Sequence, residues 1–126
     1  MPKFSDRSLA RLNSCDVRIQ NVLKEAIKYS DFTVLCGYRN KEEQNRAYAE
    51  GNSGVKFPNS KHNVLPSVAV DIAPYPIDWA DRVRFIQLAA LVLEIASVQG
   101  VKLRWGGNWK TRGVSNLMDM PHFELV

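Results

Sequence analysis

Histidine and cysteine are scarce in this chain, with two of each among 126 residues. Two cysteines cannot build the dense disulfide framework of a small secreted domain, and Cys15 and Cys36 lack the CxxC spacing of a closed structural zinc site. Both read as reduced thiols packed as small hydrophobes. Long apolar runs are also missing. A membrane-spanning helix needs about 20 mostly apolar residues, whereas the best run, Leu88 to Ala96, is short and carries Glu94. No repeat, low-complexity segment or Pro/Gly/Ser linker divides the chain. Nor is there an acidic excess: 17 Lys and Arg face 13 Asp and Glu, a net charge of +4. That balance excludes an acidic solvating tail and favours an anionic partner such as nucleic acid, a membrane surface or a bacterial wall polymer. The opening residues, MPKFSDRSLARLNS, put charges where a secretory signal carries its apolar stretch. The chain is therefore expected to be made in the cytoplasm with no signal peptide.

What is present is the balance of a folded protein, 45% hydrophobic and 24% charged. The length suits one domain over residues 1–126, with N-terminal helices over about 5–30 and the remaining elements over 32–126. Ser5 or Asp6 can cap a helix running to about Asn13. Ile19, Val22, Leu23, Ala26 and Ile27 keep the spacing of one buried helical stripe, with Asp16 as cap and an end near Ser30. Phe32 to Cys36 is β-branched and aromatic and stops at Gly37, which predicts a strand. Asn40 and Glu43 suit a capping box for a helix over Lys41 to Glu50. Residues 52–67 read as an ordered functional loop, and Val68 to Ala73 as a strand. Asp78 is expected to cap the longest helix, from about Trp79 to Gln99. Leu103 to Trp105 and Phe123 to Val126 read as short closing strands. Strands and helices that mix without regular βαβ alternation predict an α+β fold.

Side chains alternate across a strand, so Val68, Val70 and Ile72 share a core face while Ala69, Asp71 and Ala73 share the other. A carboxylate between two alanines on such a strand needs a cation, a cluster of donors or a metal. An arginine partner meets that need, and unrelated histidines are often structural. Yet His62 and His122, with Asp71, also make a three-ligand zinc set that leaves a fourth position open for water, the mark of a catalytic site.

The surrounding motifs carry a resemblance. Ser60-Lys61-His62, Ala69-Val70-Asp71 and Asp119-x-x-His122 resemble the signature of the zinc peptidases that include D-alanyl-D-alanine carboxypeptidases and dipeptidases and the L-alanyl-D-glutamate peptidases of phage endolysins. Gly37-Tyr38-Arg39-Asn40, Glu43-Gln44, Tyr48 to Gly51 and Arg104 to Gly107 followed by Trp109 extend the likeness. Gly54 to Pro58 and Val70 to Pro76 are similar to phage members in particular. The motifs span residues 32–126 in order. Two departures stand out. His62 and Asp71 are nine positions apart rather than seven, and the intervening glycine is missing, which reads as a two-residue insertion that bulges outward. After Trp105-Gly106-Gly107, the stretch Asn108 to Gly113 lacks the acidic residues of many phage relatives, so no further cation site is expected there.

The resemblance implies a small domain of the hedgehog and D,D-peptidase type, with helices packed on a mainly antiparallel sheet. It implies one zinc per chain on His62, Asp71 and His122, Asp119 as general base, Arg39 as the cation facing the developing oxyanion, and Ser60 as a substrate-binding residue. Glu124 competes for the base role because it shares a strand face with His122. Trp105 and Trp109 line the cleft or pack in the core. The implied activity is zinc-dependent peptidoglycan hydrolysis, best matched to an L-alanyl-D-glutamate endopeptidase acting as a phage or prophage endolysin, released from the host cytoplasm to the wall. It is expected to act as a monomer, without a nucleic-acid partner or membrane insertion. The alternatives are a D-alanyl-D-alanine carboxypeptidase or dipeptidase, a non-catalytic zinc-binding domain, and a small nucleic-acid module. Scattered rather than clustered Lys and Arg disfavour the last.

Overall fold

The computed structural model describes residues 2–108 and 119–126. Helix α1 spans Asp6–Asn13 and α2 spans Val17–Ala26. Strand β1 spans Phe32–Cys36, helix α3 Lys41–Ala49, and 3-10 turns cover Lys61–Asn63 and Gly106–Asn108. Strand β2 spans Ala69–Pro74, helix α4 Arg82–Val98, strand β3 Leu103–Trp105 and strand β4 His122–Leu125. The strands form one antiparallel sheet in the order β1-β2-β4-β3, so the fold is α+β as the sequence implies.

Local chemistry explains most boundaries. The Ser5 hydroxyl accepts from the Ser8 amide and starts α1, and the Asp16 carboxylate accepts from the Arg18 amide and starts α2. Asn40 and Glu43 form the reciprocal capping box foreseen for α3. Strands β2 and β4 are each displaced by one residue from the sequence reading, and two helix ends differ by more. The regular turns of α2 stop at Ala26, and residues 27–29 tighten into a turn in which Tyr29 N donates to Ala26 O. The long helix begins at Arg82 with Asp81, not Asp78, as its cap. Asp78 closes a separate turn, accepting from Ala80 N on its carboxylate and from Asp81 N on its carbonyl. Two aspartates three residues apart are equivalent caps in sequence, and the preceding turn uses up the first.

One sheet face is the core. Val34 from β1, Val70 and Ile72 from β2, and Phe123 and Leu125 from β4 pack with Leu12 of α1, Ile19, Val22 and Leu23 of α2, and Leu88, Ala89, Val92 and Ala96 of α4. Trp105 belongs here too: its ring stacks on Phe123 at 6.5 Å, and its indole N–H donates to Met120 O at 2.6 Å. It is a packing residue. Cys15 is a buried free thiol whose pKa burial pushes up to about 12, which makes it inert. The other sheet face presents Asp71, His122 and Glu124. Among the described residues no helix is long and apolar enough to cross a membrane.

The cap assignment is testable. Asp81→Ala should cost roughly 0.5–2 kcal/mol, the range for losing an N-cap, in chemical denaturation. Asp78→Ala, which opens only a surface turn, should stay within about 0.5 kcal/mol. A larger loss at Asp78 would return the helix start to residue 79.

Candidate active site

Sheet register assembles the site. Asp71, on the central strand β2, is directly opposite Cys36 on β1 and His122 on β4. Cross-strand partners lie about 5 Å apart at Cβ, so three reactive side chains form a row across the sheet. Cys36 joins this row because the β1–β2 register shifts between Val34 and Cys36. The fourth group, His62, arrives from the 3-10 turn. Ser60 caps that turn, its hydroxyl accepting from His62 N at 3.2 Å while Ser60 N donates to Asn63 Oδ1 at 3.0 Å. Residues 64–66, between His62 and Asp71, are exposed. His62 nevertheless reaches Asp71.

Three donor atoms converge. His62 Nε2 is 3.3 Å from Asp71 Oδ1 and 3.3 Å from His122 Nδ1, and His122 Nδ1 is 3.0 Å from Asp71 Oδ1. The opposite ring nitrogens are committed. His62 Nδ1 lies 2.7 Å from Gly37 O, a carbonyl that can only accept, so this nitrogen carries the proton. His122 Nε2 lies 2.8 Å from Glu124 Oε1 and donates to it. Both imidazoles therefore turn their ligating nitrogens toward Asp71, the usual division of labour for metal-ligating histidines. Gly37 has to be glycine because a Cβ there would run into Arg11 O and the Ser14 hydroxyl.

Cys36, His62 and Asp71 form a cluster that could hold a metal ion. Within it, Cys36 Sγ is 3.8 Å from His62 Nδ1, the nitrogen already engaged with Gly37. His122 Nδ1, by contrast, lies within 3.3 Å of both His62 Nε2 and Asp71 Oδ1. The imidazole pair with Asp71 is thus a compact donor set, with Cys36 beside it. This corrects the expectation that Cys36 is merely a packed hydrophobe: it is half-buried and lines the site, because the register shift brings it opposite Asp71.

Asp119 stands at the lip, its Oδ2 4.0 Å from His122 Nδ1 and its side chain 51% exposed. Lost hydration and the neighbouring charge of Asp71 raise its pKa, partly offset by His122, His62 and Arg39. Gly106 fixes its backbone. Asp119 N donates to Gly106 O at 3.1 Å, and a Cβ on Gly106 would strike the Asp119 carbonyl. Glu124 is differently placed. It is 4% exposed and accepts from Arg104 at 2.7 Å and Lys61 at 3.1 Å on one oxygen and from His122 on the other. Burial opposes its ionisation, but these donors outweigh burial and lower its pKa. Buried and held by three donor side chains, this carboxylate is committed to fixing His122 rather than presented to a substrate water. Arg39 lies beside Asp71, its Nη2 3.7 Å from Oδ2, and its amide donates to His62 O at 2.8 Å. Trp109 and the stretch to Gly113 lie outside the described residues. The sequence reading missed Cys36 as a site residue and the anchoring of Arg39 by Gln44. A polar residue on a helix face that packs inward is the signal that could have exposed Gln44.

Over residues 1–126 the sequence matches the phage L-alanyl-D-glutamate peptidase family. The chain belongs to that family. Its fold matches the crystal structure of the Serratia marcescens L-Ala D-Glu endopeptidase ChiX with a TM-score of 0.80 and 30% sequence identity, covering 98% of this chain and 90% of that one. Within this peptidase family member, the two imidazoles hold their protons strongly and the carboxyl between them gives its proton up easily. Burial opposes charging of His62, but its hydrogen bond to Asp71 and the nearby Cys36 outweigh burial and push its pKa up to about 10. Burial likewise opposes ionisation of Asp71, and the two imidazoles overcome it and hold the carboxyl well below the ordinary range.

The linkage has a definite sign. His62 binds its proton more tightly folded than unfolded, so its contribution is complete below pH 6.5 and is lost as the pH rises through about 10. Asp71 contributes above pH 3.8 and loses its contribution in more acidic solution. Protein stripped with a chelator should melt highest between pH 3.8 and 6.5 and progressively lower toward pH 10. A melting temperature that instead climbs from pH 6.5 to 10 would contradict the His62–Asp71 pairing.

Proposed function

We propose that this protein is a zinc-dependent L-alanyl-D-glutamate endopeptidase of bacterial peptidoglycan, with one zinc on His62, Asp71 and His122. We further propose that it serves a phage or prophage as an endolysin, kept in the host cytoplasm until released to the wall. It works as a monomer and needs neither a nucleic-acid nor a membrane partner. The observation that carries the reading is the triangle of His62 Nε2, Asp71 Oδ1 and His122 Nδ1, with edges of 3.0–3.3 Å. Ligands about 2.0–2.1 Å from a tetrahedral zinc are separated by about 3.3 Å, so this donor set suits the ion. Family membership and the likeness to an L-Ala D-Glu endopeptidase support the choice of bond.

Zinc in such a site supplies Lewis-acid polarisation of the scissile carbonyl and acidifies the attacking water. The remaining work falls to side chains. Asp119, half-exposed at the lip with a raised pKa, takes a proton from the water that adds to the L-Ala carbonyl carbon. It returns that proton to the departing D-Glu amine as the C–N bond breaks. The Arg39 guanidinium, only 15% exposed, faces the negative charge developing on the carbonyl oxygen. Ser60 borders the cleft beside His62 and contacts substrate while capping its turn. Glu124 orients His122 and takes no part in proton transfer.

Mass spectrometry of fragments from purified peptidoglycan of defined stem peptide tests the reaction. New L-Ala carboxyl ends with free D-Glu amines are expected; loss of terminal D-Ala alone would instead indicate a carboxypeptidase. His62→Ala should abolish zinc binding in metal analysis. Asp119→Ala should keep fold and zinc yet lose about 10²–10⁴-fold in kcat. Glu124→Gln should weaken zinc about 10–100-fold while kcat at saturating zinc holds. If Glu124→Gln lost kcat as Asp119→Ala is expected to, Glu124 would be the base.

A further inference from the structure

We propose that Gln44 is the positioning residue for Arg39: its buried amide holds the guanidinium against Asp71 and ties it to the turn that carries His62. The proposal builds on the functional reading above, which gives Arg39 its role at the carbonyl oxygen. Gln44 lies on α3 and is fully buried, in a helix that otherwise exposes most of its side chains. A side-chain amide has two N–H donors and two acceptor lone pairs. All four are used. Nε2 donates to Ser53 Oγ at 2.9 Å and to Val55 O at 2.8 Å, while Oε1 accepts from Arg39 Nη1 at 2.9 Å and Asn63 Nδ2 at 3.1 Å.

This pattern allows one orientation of the amide. Turning it over would face the NH2 group toward two other donors and the oxygen toward the Val55 carbonyl. A single oxygen atom therefore binds both the guanidinium and Asn63, the neighbour of His62. Asn63 Nδ2 also donates to Arg39 O at 3.0 Å, and Arg39 N donates to His62 O at 2.8 Å. Arginine carries large rotamer freedom, yet here both its backbone and one end of its fork are held. The other end, Nη2, is left directed at Asp71 Oδ2 at 3.7 Å and Cys36 Sγ at 3.5 Å. Gln44 thus sets the separation between the substrate-facing cation and the metal-ligand turn.

A mere loop anchor would act through Ser53 and Val55, and a positioning residue acts through Arg39; variants separate the two. Gln44→Met keeps the length and removes all four bonds. Gln44→Glu keeps the acceptor for Arg39 and Asn63 but cannot donate to Val55 O, and Ser53→Ala removes a loop-side partner alone. Each is made in wild-type and Arg39→Ala backgrounds, with zinc content, kcat and KM on a soluble L-Ala–D-Glu muropeptide, and the ¹⁵N signals of the Arg39 guanidinium as readouts. Gln44→Met should lower kcat about 10–100-fold at unchanged zinc content and add less than about twofold in the Arg39→Ala background, where nothing is left to position. The Arg39 Nη signals should be separate in wild type and Gln44→Glu and merged by free rotation in Gln44→Met. Gln44→Glu and Ser53→Ala should each keep kcat within about fivefold. Equal losses from Gln44→Met in both backgrounds, or unchanged Arg39 signals, would overturn the proposal. Should Gln44→Met not fold, a loss from Gln44→Glu as large as from Arg39→Ala overturns it, and retention supports it. If the wild-type protein fails to cleave the muropeptide, the functional reading falls, while the Arg39 signals still decide the positioning.

Discussion

The burial of one carboxylate on the central strand organises this molecule. Asp71 is placed where the sheet and the 61–63 turn exclude most water, and an ionised group there is tolerated only when paired and hydrogen-bonded. Its neighbours meet that demand in a fixed arrangement. Oδ1 faces the two imidazoles and Oδ2 faces Arg39. Each partner is held in turn by something that cannot shift easily: Gly37 O for His62, Glu124 for His122 and Gln44 for Arg39. The geometry is inherited from backbone positions, so it exists before any substrate arrives and costs little reorganisation at the moment of reaction.

Three carboxylates within this small region are kept in different states by their surroundings. Asp71 is pinned as the anion by imidazoles, and Glu124 is pinned as the anion by Lys61, Arg104 and His122. Asp119 meets His122 only at 4.0 Å among the described residues, and its pKa rises. Environments that push like groups apart in this way assign distinct roles to chemically similar side chains. The division explains how His122-x-Glu124 and Asp119-x-x-His122 share one histidine without competing: one carboxylate takes its outer nitrogen, the other overlooks its inner one.

Much of this was legible in the sequence, for identifiable reasons. The Asn40–Glu43 box, the Asp16 cap and the strands β1 and β3 depend on interactions within a few residues, which a linear reading captures. Strand alternation alone put Asp71 opposite the core face, and residue types with the resemblance of the surrounding motifs pointed to His62, Asp71 and His122, whose side chains converge in the structure. The misses are non-local or degenerate. Asp78 and Asp81 are equivalent as caps until the preceding turn is known. Cys36 looked apolar because its sequence neighbours are; only the register shift against β2 brings it beside Asp71. Gln44 looked like one more polar residue on a polar helix, since its four partners come from three separate segments.

The stretch between the two halves of the site also has an engineering consequence. The Ser60–Asn63 box completes its hydrogen bonds before residue 64, and the chain is gripped again at Ser67, whose amide donates to Ser14 O and whose carbonyl accepts from Asp16 N. The exposed residues 64–66 lie between these clamps and outside the hydrogen bonds described above for His62 and Asp71. An exposed segment bounded by two clamps is where foreign sequence is best tolerated. A wall-targeting peptide or an affinity handle inserted there would sit within a few residues of the cleft while leaving its geometry to the clamps.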